Sequence, residues 1–149
     1  MESYNIPVEE VAEYLLDKLD ADAEDCISNL KLQKLVYYSQ GFVMAIMNKK
    51  LFNENIEAWA HGPVVPELYH KYKSFGSCGI NKPQNANYKT LDNFKCLKDI
   101  IDEVFQAYGQ FSAWKLRNMT HSETPWLKTP QNNIISDCLM VEFFKTQIA

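Results

Sequence analysis

Histidine beside a carboxylate is the raw material of general acid–base catalysis, and this sequence places the combination twice: His61 with Glu67, and His121 with Glu123. Each pair lies in a short stretch joining an imidazole, a proline-shaped turn and a tryptophan, from Trp59 to Tyr69 and from Leu116 to Trp126. A small hydrolase or metal-dependent enzyme built on His61 and His121 is therefore one reading. Against it, no nucleophile motif, phosphate-cradling glycine loop or metal-ligand repeat accompanies the pairs, which favours polar staples between helices. Cys26, Cys78, Cys96 and Cys138 form no C-x-x-C pair and no cluster with histidine, so free buried thiols are expected, with no metal and no cofactor. The acidic run from Asp20 to Asp25 lacks the glycine and terminal glutamate of a calcium loop and reads as a solvated connection.

The elements that must position these residues are mostly helices. Val8, Val11, Ala12, Leu15, Leu16 and Leu19 recur at helical spacing behind Pro7. Ser28 or Asn29 can cap a longer, central helix with a core stripe of Leu32, Leu35, Val36, Ser39, Phe42 or Val43, and Ile46. The segment from Phe52 to Trp59 suits a small hairpin, and His61-Gly62-Pro63 reads as a tight turn feeding a helix that opens at Pro66 and ends at Gly76. Ser77 to Thr90 carries glycine, proline and asparagines without periodicity and reads as a surface loop. Phe94, Leu97, Ile100, Ile101, Val104, Phe105 and Tyr108 define another helix, capped by Asp92 and stopped at Gly109; further helices open at Ser112, at Thr124-Pro125 and behind Ser136-Asp137. The expected architecture is one all-α domain over residues 1–149, with five to seven helices and that one hairpin.

Off the central stripe lie Lys31, Lys34, Tyr37, Tyr38 and Gln40. Tyrosine pairs a large apolar body with a hydroxyl and suits half-wet contacts. Lys34, Tyr37 and Tyr38 are therefore the candidate partner-binding residues on an exposed helix face, the alternative being tyrosines packed under neighbouring loops. A formal charge of −4 and a pI near 5.4 argue against nucleic acid as the main partner. The longest apolar run, Gly41 to Met47, falls far short of the ~20 residues of a membrane-spanning helix. Glu2, Glu9, Glu10 and Glu13 exclude a basic signal-peptide start, so a cytoplasmic location is expected.

Three ordered motifs stand out: L-x-K-L-x-Y-Y-x-Q at Leu32, Lys34, Leu35, Tyr37, Tyr38 and Gln40; W-x-H-G-P-V-x-P-E-L-Y at Trp59, His61, Gly62, Pro63, Val64, Pro66, Glu67, Leu68 and Tyr69; and T-H-x-E-x-P-W at Thr120, His121, Glu123, Pro125 and Trp126. On these motifs the chain resembles the Panacea domain, found in SocA-like antitoxins and in phage-associated proteins of the GepA type, and the resemblance spans nearly the whole sequence. It implies an antitoxin that binds and neutralises a protein toxin encoded beside it. It implies as a second role an adaptor that hands the toxin to a ClpXP-type protease. Members of the family often carry an additional DNA-binding helix-turn-helix, for which the motifs here leave no room. The motif residues are then scaffold or contact positions, with Gly62, Pro63 and Pro66 setting backbone shape. A phage-borne regulator that binds a host protein is a third reading.

Overall fold

A computed structural model describes residues 1–19 and 26–148. The Asp20–Asp25 stretch, read as a solvated connection, lies outside the described residues. Seven α-helices are found among them: α1 (Val8–Asp17), α2 (Asn29–Met47), α3 (Pro66–Tyr72), α4 (Lys95–Tyr108), α5 (Ala113–His121), α6 (Thr124–Leu127) and α7 (Asp137–Lys145). Four short strands accompany them: β1 (Ile27–Ser28), β2 (Glu57–Trp59), β3 (Gly62–Val64) and β4 (Gly79–Ile80). The mainly helical fold agrees with the sequence periodicity. None of these helices is long and apolar enough to cross a membrane.

The helix ends follow side-chain chemistry. Ser28, Ser112 and Ser136 each accept a hydrogen bond from a backbone N–H three residues on, at the starts of α2, α5 and α7, each satisfying one of the donors a helix start leaves open. Asn48 ends α2 in the left-handed conformation, φ 56°. Gly76, φ 59°, stops the chain after α3 and a 3-10 turn over Lys73–Phe75. The expected Asp92 cap is corrected: Asp92 sits in a 3-10 turn, Leu91–Asn93, and pairs with Lys98, while Phe94 occupies the position before α4.

Two small antiparallel sheets interrupt the helical pattern. The hairpin is β2 with β3, Glu57 opposite Val64 and Trp59 opposite Gly62, so it starts later than the expected Phe52–Trp59 span and uses the Gly62-Pro63-Val64 segment as its second strand. Its outer edge is covered by the chain around Asn133: Ala58 N donates to Asn133 O and Ile135 N to Ile56 O. The second sheet, β1 with β4, was not legible as strands, each being two residues long.

The architecture is organised around α2. Fourteen of its nineteen residues are buried, and α1, α3, α4, α5, α7 and β3 all pack against it. A helix enclosed on every side must satisfy its polar side chains inside the protein. Against α7 the approach is very close. A Cβ on Gly41 would sit 2.1 Å from the Phe144 ring, so glycine is what lets Phe144 lie flat on the α2 backbone.

Candidate functional site

Being surrounded, α2 carries a spine of buried polar groups, each answered by a backbone. Asn29 Nδ2 donates to Tyr69 O at 3.1 Å and Gln33 Nε2 to Asn29 Oδ1 at 3.0 Å, while Gln33 Oε1 accepts from Val65 N at 2.9 Å. These fix the start of α3. Two turns beyond Gln33, Gln40 Nε2 donates to Phe52 O at 2.8 Å and its Oε1 accepts from Leu51 N at 2.7 Å, an amide doing for the α2–β2 connection what a neighbouring strand would do. From sequence, Asn29 is marked only as a candidate helix cap and Gln33 has no role, although polar residues at i and i+4 on one helix are a signal.

Between them, Lys34 is fully buried and donates from Nζ to Pro63 O at 3.0 Å. Burial, then the nearby Arg117 charge, lowers its pKa to about 7. Gly62 covers it: with φ +109° and a would-be Cβ 2.6 Å from Lys34 Cε and 2.8 Å from Thr120 Oγ1, the site admits only glycine. Tyr37 and Tyr38 are also buried, and their hydroxyls converge on one carboxylate, Tyr37 to Glu123 Oε1 at 2.9 Å and Tyr38 to Glu123 Oε2 at 2.7 Å. Glu123 stands at the N-cap position of α6 without capping it, because the carboxylate is turned inward. Desolvation pushes its pKa up to about 7 against the opposing pull of the tyrosine hydrogen bonds, and burial with the Glu123 charge pushes both phenols up. Tyr38 further stacks on Tyr108, ring centres 4.1 Å apart.

The expected exposure of Lys34, Tyr37 and Tyr38 is thus corrected. The aliphatic stripe does not mark the only buried face, because α2 has neighbours on all sides and the tyrosines find an internal acceptor. Packed as they are, these side chains hold other segments and present no surface to a partner. The cysteine expectation is corrected in the opposite direction: Cys26, Cys78, Cys96 and Cys138 are free but exposed, lying in loops or on outer helix faces where the apolar stripes do not reach.

The third motif closes on the second. Trp126 Nε1 donates to Trp59 O at 2.8 Å, and His121 stacks on Trp126 with ring centres 4.1 Å apart. Pro125 is buried in the first turn of α6, and Thr120 Oγ1 donates to Arg117 O. From the second motif, Trp59 and Tyr69 meet edge to face at 5.0 Å, Pro66 opens α3, Leu68 fills the core and Glu67 points to solvent. Leu32 and Leu35 are core residues, and Val64 lies buried in β3. The three motifs therefore form a closed ring: Lys34 holds Pro63, Tyr37 and Tyr38 hold Glu123, and Trp126 holds Trp59.

The two histidines come close to one another without becoming an acid–base site. His61 Nδ1 accepts from Arg117 Nε at 3.2 Å, and His121 Nε2 is buried with no hydrogen-bond partner. Burial first, then Arg117, lowers the His121 pKa, and no carboxylate acts on it. Glu123 is committed to the tyrosines. Among the described residues no group of histidine, cysteine and carboxylate side chains could hold a metal ion.

Comparison with known proteins agrees with the motif geometry. The profile of the family described as antitoxin SocA-like, Panacea domain, matches residues 32–127, a span that runs from the first motif to the end of the third. Antitoxin SocA from Caulobacter vibrioides (strain NA1000 / CB15N) is 34% identical over 125 residues, covering 78% of this chain and 66% of the relative. The chain thus spans just under two thirds of that relative's length. No solved structure matches. With all three interlocking motifs inside the matched region, the chain belongs to the antitoxin SocA-like, Panacea domain family.

Proposed function

We propose that this protein is an antitoxin that neutralises the toxin encoded by the neighbouring gene through direct protein–protein binding, without catalysis, in the cytoplasm. The observation that carries the reading is the family match over residues 32–127, together with the finding that motif residues suited to chemistry are consumed in a structural ring. Lys34 is answered by the Pro63 carbonyl and Glu123 by the Tyr37 and Tyr38 hydroxyls, and His61 and His121 face an arginine where an active site would need an acid. That arrangement supports a rigid scaffold whose outer surface meets the toxin. By family resemblance, the same complex would serve a ClpXP-type protease as an adaptor, delivering the captured toxin.

Co-expression tests this. The neighbouring gene product alone arrests growth, co-expression restores it, and the two proteins co-purify. A harmless neighbour that never co-purifies would sink the antitoxin assignment. Toxin that disappears only in cells containing the protease, and only with this chain present, supports the adaptor role; unchanged toxin turnover removes it. A protein from the infecting phage's host that co-purifies in place of the neighbour supports the regulator reading instead.

A further inference from the structure

Arg117 is the chain's single arginine, and among the described residues no carboxylate answers it. It donates from Nε to His61 Nδ1 at 3.2 Å and from Nη1 to Asn118 Oδ1 at 3.0 Å, and its guanidinium lies 4.3 Å from the ring centre of Trp114. A guanidinium carries five N–H donors in a fixed fork, and its Nη2 donors have no hydrogen-bond partner among the described residues. Among the described residues, none of the ion pairs includes Arg117. Trp114 is 59% exposed, more than any other large apolar side chain described. Past His61, the surface descends into a pocket of about 460 Å³ lined by Trp59 and Tyr69, with Lys73 also in its wall and no acidic residue. Glu57, two residues from Trp59, has its carboxylate taken by the Trp59 indole N–H at 2.9 Å.

Trp114, Arg117, His61 and the pocket lining include no acid, so on a chain of formal charge −4 they have the sign to attract an acidic partner. An exposed tryptophan stacked under an arginine pre-orients the guanidinium fork, and these two residue types are enriched among interface anchors. We propose that the face running from Trp114 through Arg117 and His61 to the Trp59–Tyr69 pocket is where the toxin docks, presenting an acidic segment. A carboxylate of that segment forks onto Arg117, and an adjoining apolar side chain enters the pocket. This deepens the antitoxin reading and rests on it.

The test is a titration of purified toxin with wild-type protein, R117E and W114A, paired with growth rescue by each. R117E is expected to bind ~100-fold more weakly and W114A at least ~10-fold, the losses typical of a paired charge and an aromatic anchor, with melting temperatures unchanged. Added salt weakens the wild-type complex more than the R117E complex. An Asp→Lys or Glu→Lys change in the toxin segment restores binding to R117E. Should R117E lower the melting temperature, W114A decides, since its side chain supports little of the fold. If both variants bind and rescue as wild type does, the surface assignment is overturned while the antitoxin reading stands. A wild-type chain that neither binds nor rescues overturns that reading, and this surface with it.

Discussion

The Lys34 ammonium donates to the Pro63 carbonyl at 3.0 Å from a fully buried position that no carboxylate shares. Its pKa of about 7 in the folded protein, against 10.5 for an ordinary lysine, means that between those values the unfolded chain holds a proton the folded one has released. Stability therefore rises with pH across that window, by up to about 1 kcal/mol per unit. Urea denaturation at pH 7 and pH 9.5 should find the protein more stable at the higher pH, and Lys34→Met should flatten the difference. Lys34→Glu places a carboxylate against the Pro63 carbonyl and is expected to cost ~3–5 kcal/mol. A charge-reversed protein that melts with wild type would refute the burial argument.

Glu123 gives the opposite limb. Its pKa is raised to about 7 from 4.5, so the folded state holds the extra proton between those values, and its contribution falls as pH rises from about 4.5 to 7. Glu123→Gln keeps an acceptor for one tyrosine and removes the titration. The stability of wild type relative to this variant should decline through the window by ~2 kcal/mol, after discounting for partial exposure. His121, whose pKa is lowered, pulls the other way in both proteins and cancels in the difference. A difference that is level from pH 4.5 to 7 would rule out the shift.

All four cysteines are exposed and free. A thiol reagent such as a maleimide should modify every one of them in the native protein without denaturant, at rates close to those of the unfolded chain. Mass spectrometry after brief labelling checks this directly, and a residue protected until urea is added would place its thiol in the core.

How much of this was legible in the sequence depended on whether a signal was local. Helix starts at Ser28, Ser112 and Ser136 and the apolar stripes of α1 and α4 needed only nearest neighbours in the chain, and they read correctly. The burial of Lys34 and Tyr37 could not be read that way, because whether a helix has one covered face or several depends on partners that come from α4, α5, α7 and β3. The pairing of Glu123 with Tyr37 and Tyr38 spans more than 80 residues, and only the recurrence of three motifs together hinted at it. Strands of two or three residues carry too little alternation to fix their bounds, so the expected hairpin at Phe52–Trp59 starts too early and β1 with β4 does not register. Arg117 could have been noticed as the chain's one arginine, but its lack of an acidic partner is a fact of three dimensions.

Gly62 is where the ring of motifs is least tolerant. The backbone there has φ +109°, which a side chain rarely adopts, and the space a Cβ would enter is held by Lys34 Cε at 2.6 Å and Thr120 Oγ1 at 2.8 Å. Gly62→Ala therefore meets backbone strain and crowding together, each worth ~1–3 kcal/mol. Relief by moving Lys34 is costly, because its ammonium would lose the Pro63 carbonyl and be left unpaired in the core. Gly76 provides the control: it too has positive φ, at +59°, but nothing lies within 4 Å of its would-be Cβ, so Gly76→Ala carries the strain without the crowding. Thermal melts should rank wild type above Gly76→Ala above Gly62→Ala. Shortening the lysine in Gly62→Ala/Lys34→Ala should recover part of the loss if crowding is its cause. Equal melting temperatures for the two glycine variants would show that the space over Lys34 is looser than these distances imply.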